Sequence, residues 1–205
     1  NDLINDDKKS NHKVKIAVSK IIKKVSETGD NGLNYYVRKL DKINVKNIKE
    51  LFIPKEVLKN AYHGLRKEEK KALNIAAERI KQFHYRQIPE NFKYEDDIKV
   101  NLGLNYLPIE SVGLYIPGGK AIYPSSVLMN AIPALVAGVE RRILVSPISD
   151  LQKSSIVLAA AYVANVSEFI CIGGAHAVAA LAYGTETIVP VNKIVGPAMP
   201  LLQKL

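Results

Sequence analysis

The chain has 205 residues, 47% of them hydrophobic, enough to bury a real core in one large domain or two small ones. Its 29 Lys and Arg against 20 Asp and Glu give a formal net charge of +9. The lysines alternate with acids through the first hundred positions in short clusters such as Lys23-Lys24 and Lys70-Lys71. That is the pattern of solvated helix faces, not of a nucleic-acid-binding stripe. The single cysteine, Cys171, excludes an internal disulfide and any multi-cysteine metal site, and its neighbours Phe169, Ile170 and Ile172 put it in a buried strand. No N-terminal run has the order of a signal peptide and no apolar stretch has the length of a membrane span, so the expected location is cytoplasmic. The first residue is Asn, which reads as a start inside a longer polypeptide or after processing.

From Asn1 to about Phe92 the pattern is helical. Val14, Val18, Ile21, Ile22 and Val25 recur at three- and four-residue spacings, and Gly29 stands where such a helix stops. A second helix is expected from about Asp30 to Leu40, with Leu33, Tyr36, Val37 and Leu40 on one side. Pro54 is placed to open a third, and a fourth runs from about Lys67 to Tyr85. Pro89 and Glu95-Asp96-Asp97 mark a change of regime, after which Ile98, Val100, Leu102 and Leu104 alternate as in a strand or hairpin arm.

Strand and helix then take turns. Strands are predicted at Val112–Ile116, Arg142–Ser146, Glu168–Ile172 and Lys193–Val195, and helices at Ser125–Gly138, Ser154–Val163 and His176–Tyr183. Three such units in succession imply a parallel sheet with right-handed crossovers. The fold class is therefore α/β. A helical N-terminal region over 1–97 precedes an incomplete Rossmann-like three-layer α/β/α domain, with a mainly parallel sheet, over 98–205.

In such a sheet ligands bind beyond the carboxyl ends of the strands. The turns Pro117-Gly118-Gly119, Ser146-Pro147, Gly173-Gly174 and Gly196-Pro197 would all lie on that edge. The first is the turn of a strand-turn-helix unit, which leaves backbone N–H groups free for the anionic part of a nucleotide, although it does not match G-x-G-x-x-G. Tyr115, ending a strand before this turn, stacks on or hydrogen-bonds a nucleotide, or packs. His176, at a helix N-terminus after Gly173-Gly174, reads either as a donor to a cofactor or anion or as a partly exposed capping residue. His12, His63 and His84 form no ligand-like set, Ser125 and Ser126 read as helix-start residues, and no Ser-His-Asp or Cys-His arrangement is evident. No catalytic residue and no metal ligand is assigned.

Several blocks resemble histidinol dehydrogenase. They are Ser111-Val112-Gly113-Leu114-Tyr115-Ile116-Pro117-Gly118-Gly119, Pro124 to Met129, Gly173-Gly174-Ala175-His176 running on to Gly184-Thr185, and Lys193 to Pro197. Gly29-Asp30, Asp41 and Phe83-His84 with Gln87 add to the likeness, so the resemblance covers nearly the whole chain. It implies NAD-dependent oxidation of L-histidinol to L-histidine, with zinc fixing the substrate. It also implies three cofactor-binding positions: Tyr115, His176 where the family has Gln, and Met199 where the family has Asn.

Family members are about twice this length, and their second half brings the zinc ligands, the Glu-His general base and acid, and most histidinol contacts. The resemblance thus implies the N-terminal half of such an enzyme, truncated and catalytically silent alone, with NAD held at a weakened site. Its partner would be a second copy or a complementing C-terminal half, and neither nucleic acid nor membrane. Two alternatives stay open: a non-catalytic nucleotide- or anion-binding module, and a related NAD-dependent alcohol dehydrogenase with another substrate.

Overall fold

A computed structural model describes residues 2–118, 123–148 and 150–197. Helix α1 spans Asp2–Tyr36 but is broken at Gly29, whose left-handed φ of 53° no helix can accommodate. The break creates a second helix start, and its orphan N–H groups need partners. The Asp30 N–H finds one in the Glu186 carboxylate at 2.6 Å, while the Asp30 carboxylate accepts from the Thr187 hydroxyl. The stop expected at Gly29 is thus present, held from across the molecule. A single π-helical turn over Val37–Asp41 follows, ended by Lys42 in the left-handed conformation, and a short 3-10 turn lies at Ile48–Leu51.

Pro54 precedes α2 (Lys55–Gly64), and α3 occupies Lys67–Tyr85, the span its apolar spacing predicts. Between them and the sheet lies a hairpin of β1 (Phe92–Glu95) and β2 (Asn101–Leu104), paired antiparallel. Its turn is organised by Asp96, whose carboxylate accepts from the N–H groups of Ile98 and Val100. The alternation expected as a strand or hairpin arm is one over Asn101–Leu104, whereas Ile98 and Val100 belong to the turn, and its partner β1 is a strand that the polar run around Glu95 conceals.

The remaining elements are β3 (Ser111–Tyr115), α4 (Pro124–Val136), β4 (Arg141–Val145), α5 (Ser155–Val163), β5 (Glu168–Ile170), α6 (Gly174–Tyr183) and β6 (Lys193–Val195). The four strands form one parallel sheet in the order β5-β4-β3-β6. Leu51–Ile53 covers the outer edge of β5, with hydrogen bonds from Ile53 N–H to Phe169 and from Cys171 N–H to Leu51. Among the described residues no strand pairs with the outer edge of β6.

Side-chain alternation divides the interior. Val112, Leu114, Ile116, Leu144, Phe169 and Cys171 face α4 and α5, behind which lie α2 and α3. Tyr115, Ile143, Val145, Ile170 and Ile172 face α6 and α1. Gly113 sits on this second face because α6 comes close there: a Cβ would stand 2.8 Å from a Leu181 methyl. Both faces of the sheet are covered, as parallel sheets require. No helix among the described residues is long and apolar enough to cross a membrane.

Candidate functional site at the strand-end edge

The order β5-β4-β3-β6 fixes where a ligand crevice lies. From β3 the chain steps outward through β4 to β5, then returns past β3 to lay down β6 on the other side. Strand order therefore reverses between β3 and β6, and at such a switch point the crossovers diverge and leave a crevice beyond the strand ends. The two turns flanking it are Ile116-Pro117-Gly118 after β3 and Gly196-Pro197 after β6.

Glycine permits the turns to converge. A Cβ on Gly118 would lie 2.5 Å from the Pro147 ring, and one on Gly173 would lie 2.6 Å from it, so the turns after β3, β4 and β5 nest around Pro147. A Cβ on Gly196 would strike the Tyr115 carbonyl. The sequence puts all four turns on one edge, and the structure brings their described residues there, Gly119 lying outside the described residues.

Tyr115 closes β3 beside this crevice and is 7% exposed. Its hydroxyl oxygen accepts from the Gly174 N–H at 3.3 Å, which ties the end of β3 to the start of α6. Burial pushes the Tyr115 phenol above its ordinary pKa; the Gly174 N–H partly offsets this, and the nearby Asp41 charge adds to it.

His176, read from sequence as turned toward the ligand edge or as a partly exposed cap, does neither: it is fully buried. Its Nε2 lies 2.8 Å from an Asp41 carboxylate oxygen, and its ring stacks on Tyr36 with centroids 6.2 Å apart. The same oxygen accepts from the Gly173 N–H at 3.4 Å. The physical reason is that α6 begins with free N–H groups and a positive dipole end, and Asp41 supplies an anion there. His176 Nδ1 has no partner among the described residues. Met199, the third cofactor position implied by resemblance, lies outside the described residues.

Asp41 is the site residue that pattern reading missed as a contributor. Nothing local marks it, because its partner is 135 positions away; the one signal is a histidine inside an apolar helix, which needs a buried acceptor. Cys171 also belongs to this neighbourhood. Its thiol donates to the Ile148 carbonyl at 2.8 Å, and burial, with Asp41 adding to it, raises its pKa. The described residues contain no group of three or more His, Cys, Asp or Glu able to hold a metal.

Comparison with known proteins agrees with this architecture. Residues 4–200 match the family model for histidinol dehydrogenase. A histidinol dehydrogenase of Aromatoleum aromaticum is 47% identical over 185 residues, 90% of this chain and 42% of the relative. That of Agrobacterium fabrum is 50% identical over 184 residues, again 90% of this chain and 42% of the relative. The crystal structure of histidinol dehydrogenase from Elizabethkingia anophelis superposes with a TM-score of 0.80 at 31% identity, covering 89% of this chain and 42% of that one. The chain thus spans less than half the length of these relatives, and over that span it belongs to the histidinol dehydrogenase family.

Proposed function

We propose that this chain supplies the dinucleotide-binding part of an NAD-dependent oxidation of L-histidinol to L-histidine, and that its 205 residues alone carry out no turnover. The observation that carries the first half is the switch point between β3 and β6, with Tyr115 and two glycine turns at its mouth. The second half is supported by coverage, since only 42% of the relatives' length is matched.

The residues present fit a dinucleotide in one respect and restrict it in another. Gly118 and Gly196 let the β3 and β6 turns close against Pro147 and the Tyr115 carbonyl, and the switch point between these turns offers a crevice to the ligand. The start of α6, by contrast, already faces the Asp41 carboxylate, so the anionic part of a dinucleotide has its place at the β3 and β6 turns. Tyr115, 7% exposed, would meet the nucleotide only at the small part of its surface left open beside the crevice, and fully buried His176 acts from behind it. Bound NAD would supply the hydride acceptor. Zinc finds no fit among the described residues, and no step is assigned to it here. Hydride transfer needs the nicotinamide and the substrate carbon held together beside a base. In this reading a second polypeptide stretch, on a complementing half or another copy, provides the substrate side, and the assembly is cytoplasmic.

The test is to follow NADH absorbance with purified chain, L-histidinol, NAD and zinc, and to titrate NAD separately. The expected result is no turnover, with NAD binding that Tyr115→Ala abolishes. Turnover that survives purification and disappears in Tyr115→Ala would overturn the silent-alone claim; NAD binding unchanged in that variant would overturn the site.

A further inference from the structure

We propose that Asp41 is the positioning residue of the strand-end edge: its carboxylate fixes the His176 ring and the Gly173-Gly174 turn, and that turn fixes the Tyr115 hydroxyl. The inference deepens the proposed dinucleotide reading and rests on it for its functional meaning.

Each link is a named contact. Asp41 ends the π-helical turn that follows α1, so the N-terminal helical region delivers it to the sheet edge. Its Oδ2 stands 2.8 Å from His176 Nε2 and 3.4 Å from the Gly173 nitrogen. The next N–H in the chain, Gly174's, donates to Tyr115 Oη at 3.3 Å. A carboxylate is acceptor-only, so this contact calls for a proton on His176 Nε2, while Nδ1 is buried without a partner among the described residues. Gly174 keeps this arrangement compact, since a Cβ there would sit 3.4 Å from Nδ1 and the residue holds a φ of 60°.

The consequence for a ligand is exclusion as well as support. Asp41 occupies the position at α6 that an incoming phosphate would take, and its side chain blocks it there. A dinucleotide is thereby directed to the β3 and β6 turns, with Tyr115 held in one place to meet it. Loss of Asp41 frees α6 and lets Tyr115 move.

The test uses the 205-residue chain with NAD as the probe, alongside ¹⁵N spectra of the histidine rings assigned through His176→Gln, and amide exchange at Gly174. The wild-type ring is expected to carry its proton on Nε2. Asp41→Ala is expected to lose that signature, to lose Gly174 protection and to weaken NAD by about tenfold, the scale of one charge-assisted hydrogen bond. Asp41→Asn, whose carbonyl still accepts from Nε2, is expected to retain all three within about threefold. If Asp41→Ala does not fold, His176→Leu against His176→Gln replaces it, with Leu expected to weaken NAD and Gln to retain it. Wild-type NAD affinity in the folded Asp41→Ala or His176→Leu chain, a proton on Nδ1, or unchanged Gly174 protection would overturn the proposal. Failure of the wild-type chain to bind NAD, with the ring and Gly174 signatures intact and sensitive to Asp41, would fell the dinucleotide reading and uphold the positioning role.

Discussion

Strands β2 and β3 are written in similar letters and end in opposite surroundings. Leu102 and Leu104 of β2 are exposed, as are all eight residues of the β1–β2 hairpin, whereas all five residues of β3 are buried. Apolar alternation specifies a strand and its faces, but burial depends on what the rest of the chain lays against those faces. β3 receives α4 on one side and α6 on the other; the hairpin receives nothing among the described residues, and Ile98, at 79% exposed, is left in solvent beside it.

Substitutions test this contrast directly. The largest effect is expected from Leu144→Ala in β4, where a fully buried side chain in the middle of the sheet is removed; a loss of about 3–5 kcal/mol should appear in urea or thermal unfolding. Next comes Arg142→Met. Arg142 is 7% exposed, and its guanidinium donates to the carbonyls of Val139, Glu140 and Asn165, so its removal leaves acceptors unpaired and should cost about 2–3 kcal/mol. Leu102→Ala in the hairpin should change stability by no more than about 0.5 kcal/mol. A loss near that of Leu144→Ala would mean the hairpin is covered in solution and would break the comparison.

The smallest expected effect is chemical. Cys171 lies on the buried face with its thiol lifted above the ordinary range by burial, so it should resist thiol reagents at pH 8 in the folded chain and react once urea unfolds it. Because the folded value is raised, the thiol's contribution to stability is fully present below the ordinary thiol pKa and is lost as pH rises through the folded one. A melting series above pH 8 should show the decline; reaction in the native state as fast as in the unfolded one would remove Cys171 from the core.

How much of this was legible in the sequence follows from which interactions are local. The span of α3 could be read because its apolar residues repeat at helical spacing, and the parallel sheet followed from three strand–helix alternations. β1 escaped notice because Phe92-Lys93-Tyr94-Glu95 is short, exposed and next to an acidic run. That β6 returns beside β3 has no local signature, yet it creates the switch point. His176 was legible as a residue at a helix start, but its direction was not, since the carboxylate that captures it arrives from position 41. Tyr115 fell where the pattern put it, at the end of β3.

The Glu186–Asp30 contact, spanning 156 positions, adds a constraint of timing. With the Asp41–His176 pair, it ties the N-terminal helices to residues from the last fifth of the chain. During synthesis Val25, Leu33 and Val37, all fully buried in the finished fold, lack the α6 part of their cover until α6 leaves the ribosome. The N-terminal helices are thus made well before α6 and complete their packing only with it, and until then part of their apolar stripes is open to chaperones or to other nascent copies.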